Sequence, residues 1–302
     1  MQRKRFQHRL ELFGVRLVTG LLGILPLRWS VALGGVLGRI AFDLLRIRRS
    51  VTLTNLERAL GSTLTRGERI VTARRSYINF AKSMVEFALL GHLAPQRLRS
   101  LVRLRDFHHI DRALSNGSGA LVITGHFGSW ELLGAATAAN GYPVDFLVGQ
   151  QSNRLVDDLM NELRRKAGIG IISRGIAARG VLGSIKNNHI VALLSDQDAR
   201  RMGIFVDFFG TPASTFQGVA QFAYRTDCPI FCVFIIRLDD GTHDAVCLPP
   251  IEVRAGADRD EEVRRLTEEH TRRLEEYVTR YPEHYFWAHR RWKTRPPATG
   301  VS

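Results

Sequence analysis

The apolar positions of this chain fall into two regimes. Over Val51–Leu60 and Thr65–Leu90 they recur near every third or fourth place, the period of a helix packed on one face. From about residue 118 short apolar runs alternate with helical stretches instead. Gly119–Thr124, Tyr142–Val148, Gly168–Ile172, His189–Leu194, Ile230–Arg237 and Ala245–Leu248 read as strands. Ser129–Ala139, opened by a serine cap, reads as a helix, as do Leu155–Ala167, Ile176–Asn187 and Phe216–Arg225; Asp260–Tyr281 is a long charged one. Such alternation predicts an α/β fold with helices over a sheet.

The first 48 residues follow neither regime. Met1–Arg9 is basic and Leu10–Ile47 is rich in Leu, Val, Ile, Gly and Ala, but Pro26 and Arg28 split the apolar stretch. Each piece falls short of the roughly 20 apolar residues a membrane span needs. No Ala-x-Ala-like cleavage site marks a secretory signal. We read residues 1–48 as one or two amphipathic helices lying in a membrane interface, with a single tilted span as the second reading. Residues 49–302 form the α/β domain. A buried helix pair of an ordinary soluble fold remains the plain alternative.

Charge sharpens the picture. The 43 Lys+Arg exceed the 29 Asp+Glu by 14, so a partner rich in negative charge is expected. Phospholipid, phosphorylated glycolipid, an acidic carrier protein and nucleic acid all qualify, but no nucleic-acid-binding motif occurs and the apolar N-terminus would have no use there. Cys228, Cys232 and Cys247 sit in one apolar region without zinc spacing, and read as reduced, buried and cytoplasmic.

In open α/β sheets ligands bind beyond the carboxyl ends of the strands. That rule selects the loops at Gly125–Trp130 and Ser195–Arg201. With His126 in the turn and Glu131 in the helix's first turn, the carboxylate can reach one imidazole nitrogen and leave the other facing a cleft. This arrangement suits deprotonation of a hydroxyl for direct attack on an acyl thioester. No Gly-x-Ser-x-Gly nucleophile is present, so an acyl-enzyme is not indicated. A His and a Glu five apart equally describe a satisfied, partly buried histidine, and Asp196 and Asp198 equally describe a turn or a cap. The chemistry calls for no metal and no organic cofactor.

Several blocks together carry a resemblance. Thr-Gly-His-Phe-Gly-Ser-Trp-Glu (124–131), Leu-Leu-Ser-Asp-Gln-Asp (193–198), Val-Asp-Phe-Phe-Gly-Thr-Pro-Ala (206–213) with Thr215 and Gly218, and Tyr-Phe-Trp-Ala-His-Arg-Arg-Trp-Lys-Thr-Arg-Pro (285–296) occur in order behind the hydrophobic N-terminus. The chain resembles the lipid A biosynthesis (late) acyltransferases and related bacterial glycolipid acyltransferases over essentially its whole length. The resemblance implies a central mixed sheet flanked by helices, of the glycerolipid-acyltransferase kind. It implies transfer of a fatty acyl chain from an acyl carrier protein or acyl-CoA to a hydroxyl of a lipid A-type glycolipid, at the cytoplasmic face of the inner membrane. A phosphatidylinositol mannoside is the alternative acceptor, and a non-catalytic lipid-binding protein the reading from another class.

His126 would then be the general base, oriented by Glu131. Asp196 and Asp198 would shape the pocket or hold a basic partner, and Phe208, Phe209 and Gly210 would line the acyl or acceptor side. The family's Tyr-Arg-Pro-like block reads Leu147–Asn153 here, with Gln150 or Gln151 in place of its arginine. Arg154, Arg164 and Arg174 are the candidates to compensate. Backbone donors near Gly128–Trp130, or an arginine, would hold the oxyanion. In the last block Trp287 and Trp292 are expected to pack on the core, with Arg290, Arg291, Lys293 and Arg295 at the membrane or carrier surface.

Overall fold

The computed structural model describes residues 2–297, the side chains of residues 2–5 and of Arg174 excepted. The N-terminal third is helical: α1 (Gln2–Ile24), α2 (Leu27–Asp43), α3 (Arg49–Leu60) and α4 (Arg66–Leu89), followed by the short α5 (Pro95–Leu101). Pro26 precedes α2 and separates it from α1, as the sequence implied. No helix among the described residues is long and apolar enough to cross a membrane. The start of α4 is fixed by a capping box in which Thr65 and Glu68 exchange side-chain and backbone hydrogen bonds.

Strand β1 (Val102–Arg105) and helix α6 (His108–Ser115) lead into β2 (Ala120–Thr124), α7 (Trp130–Ala139), β3 (Val144–Val148), α8 (Arg154–Lys166), β4 (Ile169–Ser173), α9 (Ala177–Lys186) and β5 (Ile190–Leu194). A hairpin, β6 (Ile204–Phe208) and β7 (Thr211–Thr215), precedes α10 (Gly218–Thr226), β8 (Ile230–Arg237), β9 (His243–Cys247) and α11 (Arg259–Arg280). The seven-stranded sheet has the order β1-β9-β8-β2-β5-β3-β4. All neighbours run parallel except β8 and β9, so the sheet is mixed. The short helices α5 and α6, strand β1 and the β6–β7 hairpin are not among the elements expected from the sequence. The strands run five residues or fewer and the two helices eight or fewer, too briefly for periodicity to register.

Both faces of the sheet are covered, which is why its central strands read as unbroken apolar runs. Leu121, Ile123, Val191 and Phe234 pack beneath α9, α10 and α11; Ala120, Val122, Ile190 and Val233 pack beneath α5, α6 and α7. The three cysteines are free and buried in these layers.

The register of β2 on β5 sets the site. Thr124 lies opposite Leu194, so His126 and Asp196, each two residues further on, leave the sheet side by side. The turn between His126 and α7 passes so close to β8 that Gly128 (φ +59°) leaves no room for a side chain: a Cβ there would overlap the carbonyl oxygen of Ile235. Gly128→Ala is therefore expected to lower the unfolding free energy by about 2–5 kcal/mol, read as a lower urea midpoint, from strain and overpacking together. An unchanged midpoint would show that the turn is not pinned.

Candidate active site

The imidazole of His126 is held at three points. Its Nδ1 lies 2.8 Å from Asp196 Oδ1, and the other oxygen of the same carboxylate accepts the His126 backbone N–H at 2.9 Å. The Nδ1 position beside a carboxylate carries the proton, which leaves Nε2 with its lone pair outward. The Gln197 side-chain nitrogen stands 3.3 Å from Nε2. Rings close the third side: Trp130 meets the imidazole edge-on at 4.9 Å, with Phe286 at 6.3 Å.

Burial by itself would depress the imidazolium, but the Asp196 carboxylate, through charge and hydrogen bond, and the charge of Glu131 outweigh it and raise the His126 pKa. For Asp196 burial acts upward, and His126 with the nearby Arg291 brings the net shift downward. Asp196 therefore stays ionised while His126 gains basicity.

The partner expected for His126 was Glu131, five residues along. Glu131 instead turns into the protein and meets Arg164 through two hydrogen bonds, at 2.9 and 2.5 Å, while Arg164 also donates to Asn161. The reason is local. Glu131 sits on the buried side of α7, facing α8, whereas the neighbouring strand delivers a carboxylate straight to the imidazole. Glu131 thus bears on His126 through its field, and spacing along the chain could not reveal a partner supplied 70 positions away.

The remaining expected residues separate into those that face the cavity and those that do not. A cavity of about 670 Å³ opens at His126 and runs inward between the sheet and α7, past Phe107, Ile110, Val122, Val144 and Val233. Glu131, Arg164, Gln150, Gln151, Gln197 and Gly218 also line it. Arg164 is the one compensating arginine brought there among the described side chains. Arg154 is exposed on the first turn of α8 and does not line it; the side chain of Arg174 lies outside the described residues.

Asp198 points the other way, accepting from Thr294, while its backbone N–H donates to His289 Nε2. Phe209 and Gly210 form the turn of the β6–β7 hairpin, tied to Glu275 and Asp207, and Phe209 packs on Phe208 and Trp287 rather than lining the cavity. Ser129 occupies the cap position of α7 without a capping bond from its hydroxyl. The Gly128 N–H already donates to the His284 carbonyl and is therefore spent within the fold.

The final block is neither strand nor helix. It crosses the site as an irregular strap, its Phe286 N–H donating to the carbonyl of His126 and its Tyr285 hydroxyl reaching the carbonyl of Asp196. Trp287 is buried as expected, but Arg291 is buried too, donating to the Ser214 carbonyl and the Thr215 hydroxyl and lying over Phe208. Its place in a surface patch is thereby corrected: the side chain ties the final block to the end of β7.

Against this geometry the whole chain can be placed. Residues 3–294 match the model of the bacterial lipid A biosynthesis acyltransferases. The chain belongs to that family, and it is an acyltransferase. It is 24% identical over 266 residues to the lipid A biosynthesis palmitoleoyltransferase of Escherichia coli (strain K12), covering 87% of this chain and 85% of the relative. It is also 24% identical over 269 residues to the lipid A biosynthesis myristoyltransferase of the same strain, with 86% and 80% covered. A phosphatidylinositol mannoside acyltransferase of Mycolicibacterium smegmatis (strain ATCC 700084 / mc(2)155) is 26% identical over 172 residues, 56% of this chain and 57% of the relative.

Two measurements follow for this acyltransferase. The buried Glu131–Arg164 pair has little solvent to replace a lost partner, so Arg164→Met is expected to cost about 3–5 kcal/mol of unfolding free energy. The double variant Glu131→Gln/Arg164→Met should cost less than the sum of the singles; additive losses would mean that the two side chains are not coupled.

Proposed function

We propose that this enzyme transfers a fatty acyl group from an acyl thioester, carried by acyl carrier protein or coenzyme A, to a hydroxyl of a lipid A-type glycolipid at a membrane surface. The observation that carries the reading is the His126–Asp196 pair, whose Nε2, with the Gln197 amide 3.3 Å away, faces a cavity with apolar inner walls. Nε2 takes the proton of the acceptor hydroxyl as its oxygen bonds to the thioester carbonyl carbon. Collapse of the tetrahedral intermediate breaks the carbon–sulfur bond, and the imidazolium returns the proton to the departing thiolate. The Gln197 amide and the N–H groups at the start of α7 are the donors suited to the transient oxyanion. Arg164 holds Glu131 pointed inward through two hydrogen bonds, and the charge of Glu131 in turn strengthens the base.

No thiolate competes in this scheme. Burial pushes the Cys228, Cys232 and Cys247 thiols up to about 12, and none of them lines the cavity. The cavity volume, about 670 Å³, falls inside the roughly 300–1,000 Å³ of small-ligand sites, and its apolar inner walls suit a fatty chain. On α1 and α2 the apolar side chains of Phe13, Leu17, Leu21, Trp29, Leu33 and Val36 remain exposed, interleaved with Arg9, Arg16, Arg28 and Arg39. Such a face seats these helices in the head-group region of an anionic leaflet. The phosphatidylinositol mannoside acyltransferase among the relatives, together with Gln150 and Gln151 at the cavity, makes a mannoside the second acceptor to try.

The test offers labelled acyl carrier protein and acyl-CoA donors against lipid A precursors and phosphatidylinositol mannosides. His126→Ala should abolish transfer to the acceptor that the wild type uses; full retention would remove the histidine from the chemistry, and an acyl-enzyme trapped on Ser129 or a cysteine would replace direct attack. The free base is the active form, so kcat/KM rises with pH along a limb lying above the ordinary histidine value of 6.5. Asp196→Asn should cost about 10²-fold or more in rate and move that limb to lower pH, since the carboxylate that raises the pKa is gone. An unmoved limb would mean that another group titrates.

A further inference from the structure

A second cavity, of about 690 Å³, lies across a pair of rings from the first. It runs between α1, α2 and α4, and Phe80 and Phe286 line both cavities. These two rings stack with centroids 4.4 Å apart, and Phe286 is the residue whose N–H holds the His126 carbonyl. The walls are apolar, with Val15 and Val18 from α1, Leu37 and Ala41 from α2, and Met84 and Val85 from α4. Val18 and Leu37 are themselves about half exposed, so the groove opens onto the apolar face of α1 and α2.

The groove is a product of how the helices meet. Gly34 and Gly38 bring α2 hard against α4, where a Cβ on Gly38 would overlap the Tyr77 carbonyl. Helix α1 stands off from that clasp: a Cβ on Gly14, which lines the groove, would meet nothing within 4 Å.

Direct transfer between two lipids requires both chains to be housed while both head ends meet one imidazole. The inner cavity is the compartment for the donor, because it starts at His126 and runs on into the core between β2, β8 and α7. We propose that the groove holds a hydrocarbon chain of the lipid acceptor, which slides in from the exposed face of α1 and α2 and presents its hydroxyl to His126 beside Phe80 and Phe286. This rests on the acyl-transfer reading above. The rings then form the partition between two chain compartments, and acceptors are selected by their chains as well as by their sugars.

Photolabelling of the wild type separates the compartments. In mixed micelles the enzyme would receive, in separate runs, a long-chain glycolipid acceptor and an acyl thioester, each with a diazirine in its chain. Acceptor label in peptides 14–22 and 76–88, with donor label in peptides 107–133 and 144–148, supports the assignment. Donor label in the groove, or acceptor label missing from it while transfer proceeds, overturns it. Gly14→Leu gives an independent reading by filling the groove where space is open. Displacing two methylenes' worth of chain should cut the kcat/KM preference for a long-chain over a chain-truncated acceptor about tenfold. An unaltered preference counts against the groove. Wild type that transfers to neither acceptor would instead sink the acyl-transfer reading, and this inference with it.

Discussion

One carboxylate holds the site together. Asp196 uses one oxygen for the ring of His126 and the other for its backbone N–H, so it fixes both where the loop lies and which nitrogen carries the proton. Two hydrogen bonds to a single charged group resist rotation in a way that one cannot, and in a buried setting they are stronger than their neutral counterparts. The adjacency of β2 and β5 makes this possible, since parallel neighbours release their following loops at the same edge of the sheet. Basicity, ring orientation and the direction of the Nε2 lone pair all descend from that contact.

Around it the protein builds a frame from its far end. The strap at residues 284–294 ties down both loops through His284, Tyr285, Phe286 and His289. It is anchored in turn by Asn55 of α3, whose side-chain nitrogen bonds the carbonyls of Trp287 and His289, and by Arg48, which bonds that of Ala288. The helical N-terminal third is therefore structural to the site as well as a candidate membrane contact. Buried Arg291 belongs to the same frame, and burial lowers its pKa even as the tyrosine and aspartates around it act the other way.

The long elements could be read from the sequence because a half-buried helix and a sandwiched strand each impose a period on their residues. Ile230–Arg237 is the clearest case: seven consecutive buried residues that only a strand covered on both faces would carry. The position of His126 after an apolar strand was legible for the same reason. Its partner was not. Glu131 lay at a suggestive distance in sequence, but the pairing depends on strand order, and order is fixed by how helices pack across the sheet. Phe209 and Gly210 show a related limit: the resemblance implied a pocket wall there, and the hairpin they turn was too short to announce itself. The block at 285–296 was recognisable as a unit, yet nothing in its composition separated the buried Arg291 from its solvated neighbours.

The strap also sets an order in time. A protein emerges from its synthesis N-terminus first, so α1 to α4 are complete long before Tyr285 and Phe286 exist. Until those residues arrive, the backbone of the His126 turn lacks two of its restraints, and contacts between such distant parts of a chain form late because closing the loop between them is costly in entropy. The imidazole is thus fixed in place late. A nascent chain whose N-terminal helices have already packed therefore holds the His126 turn only loosely until residues 284–289 have been added.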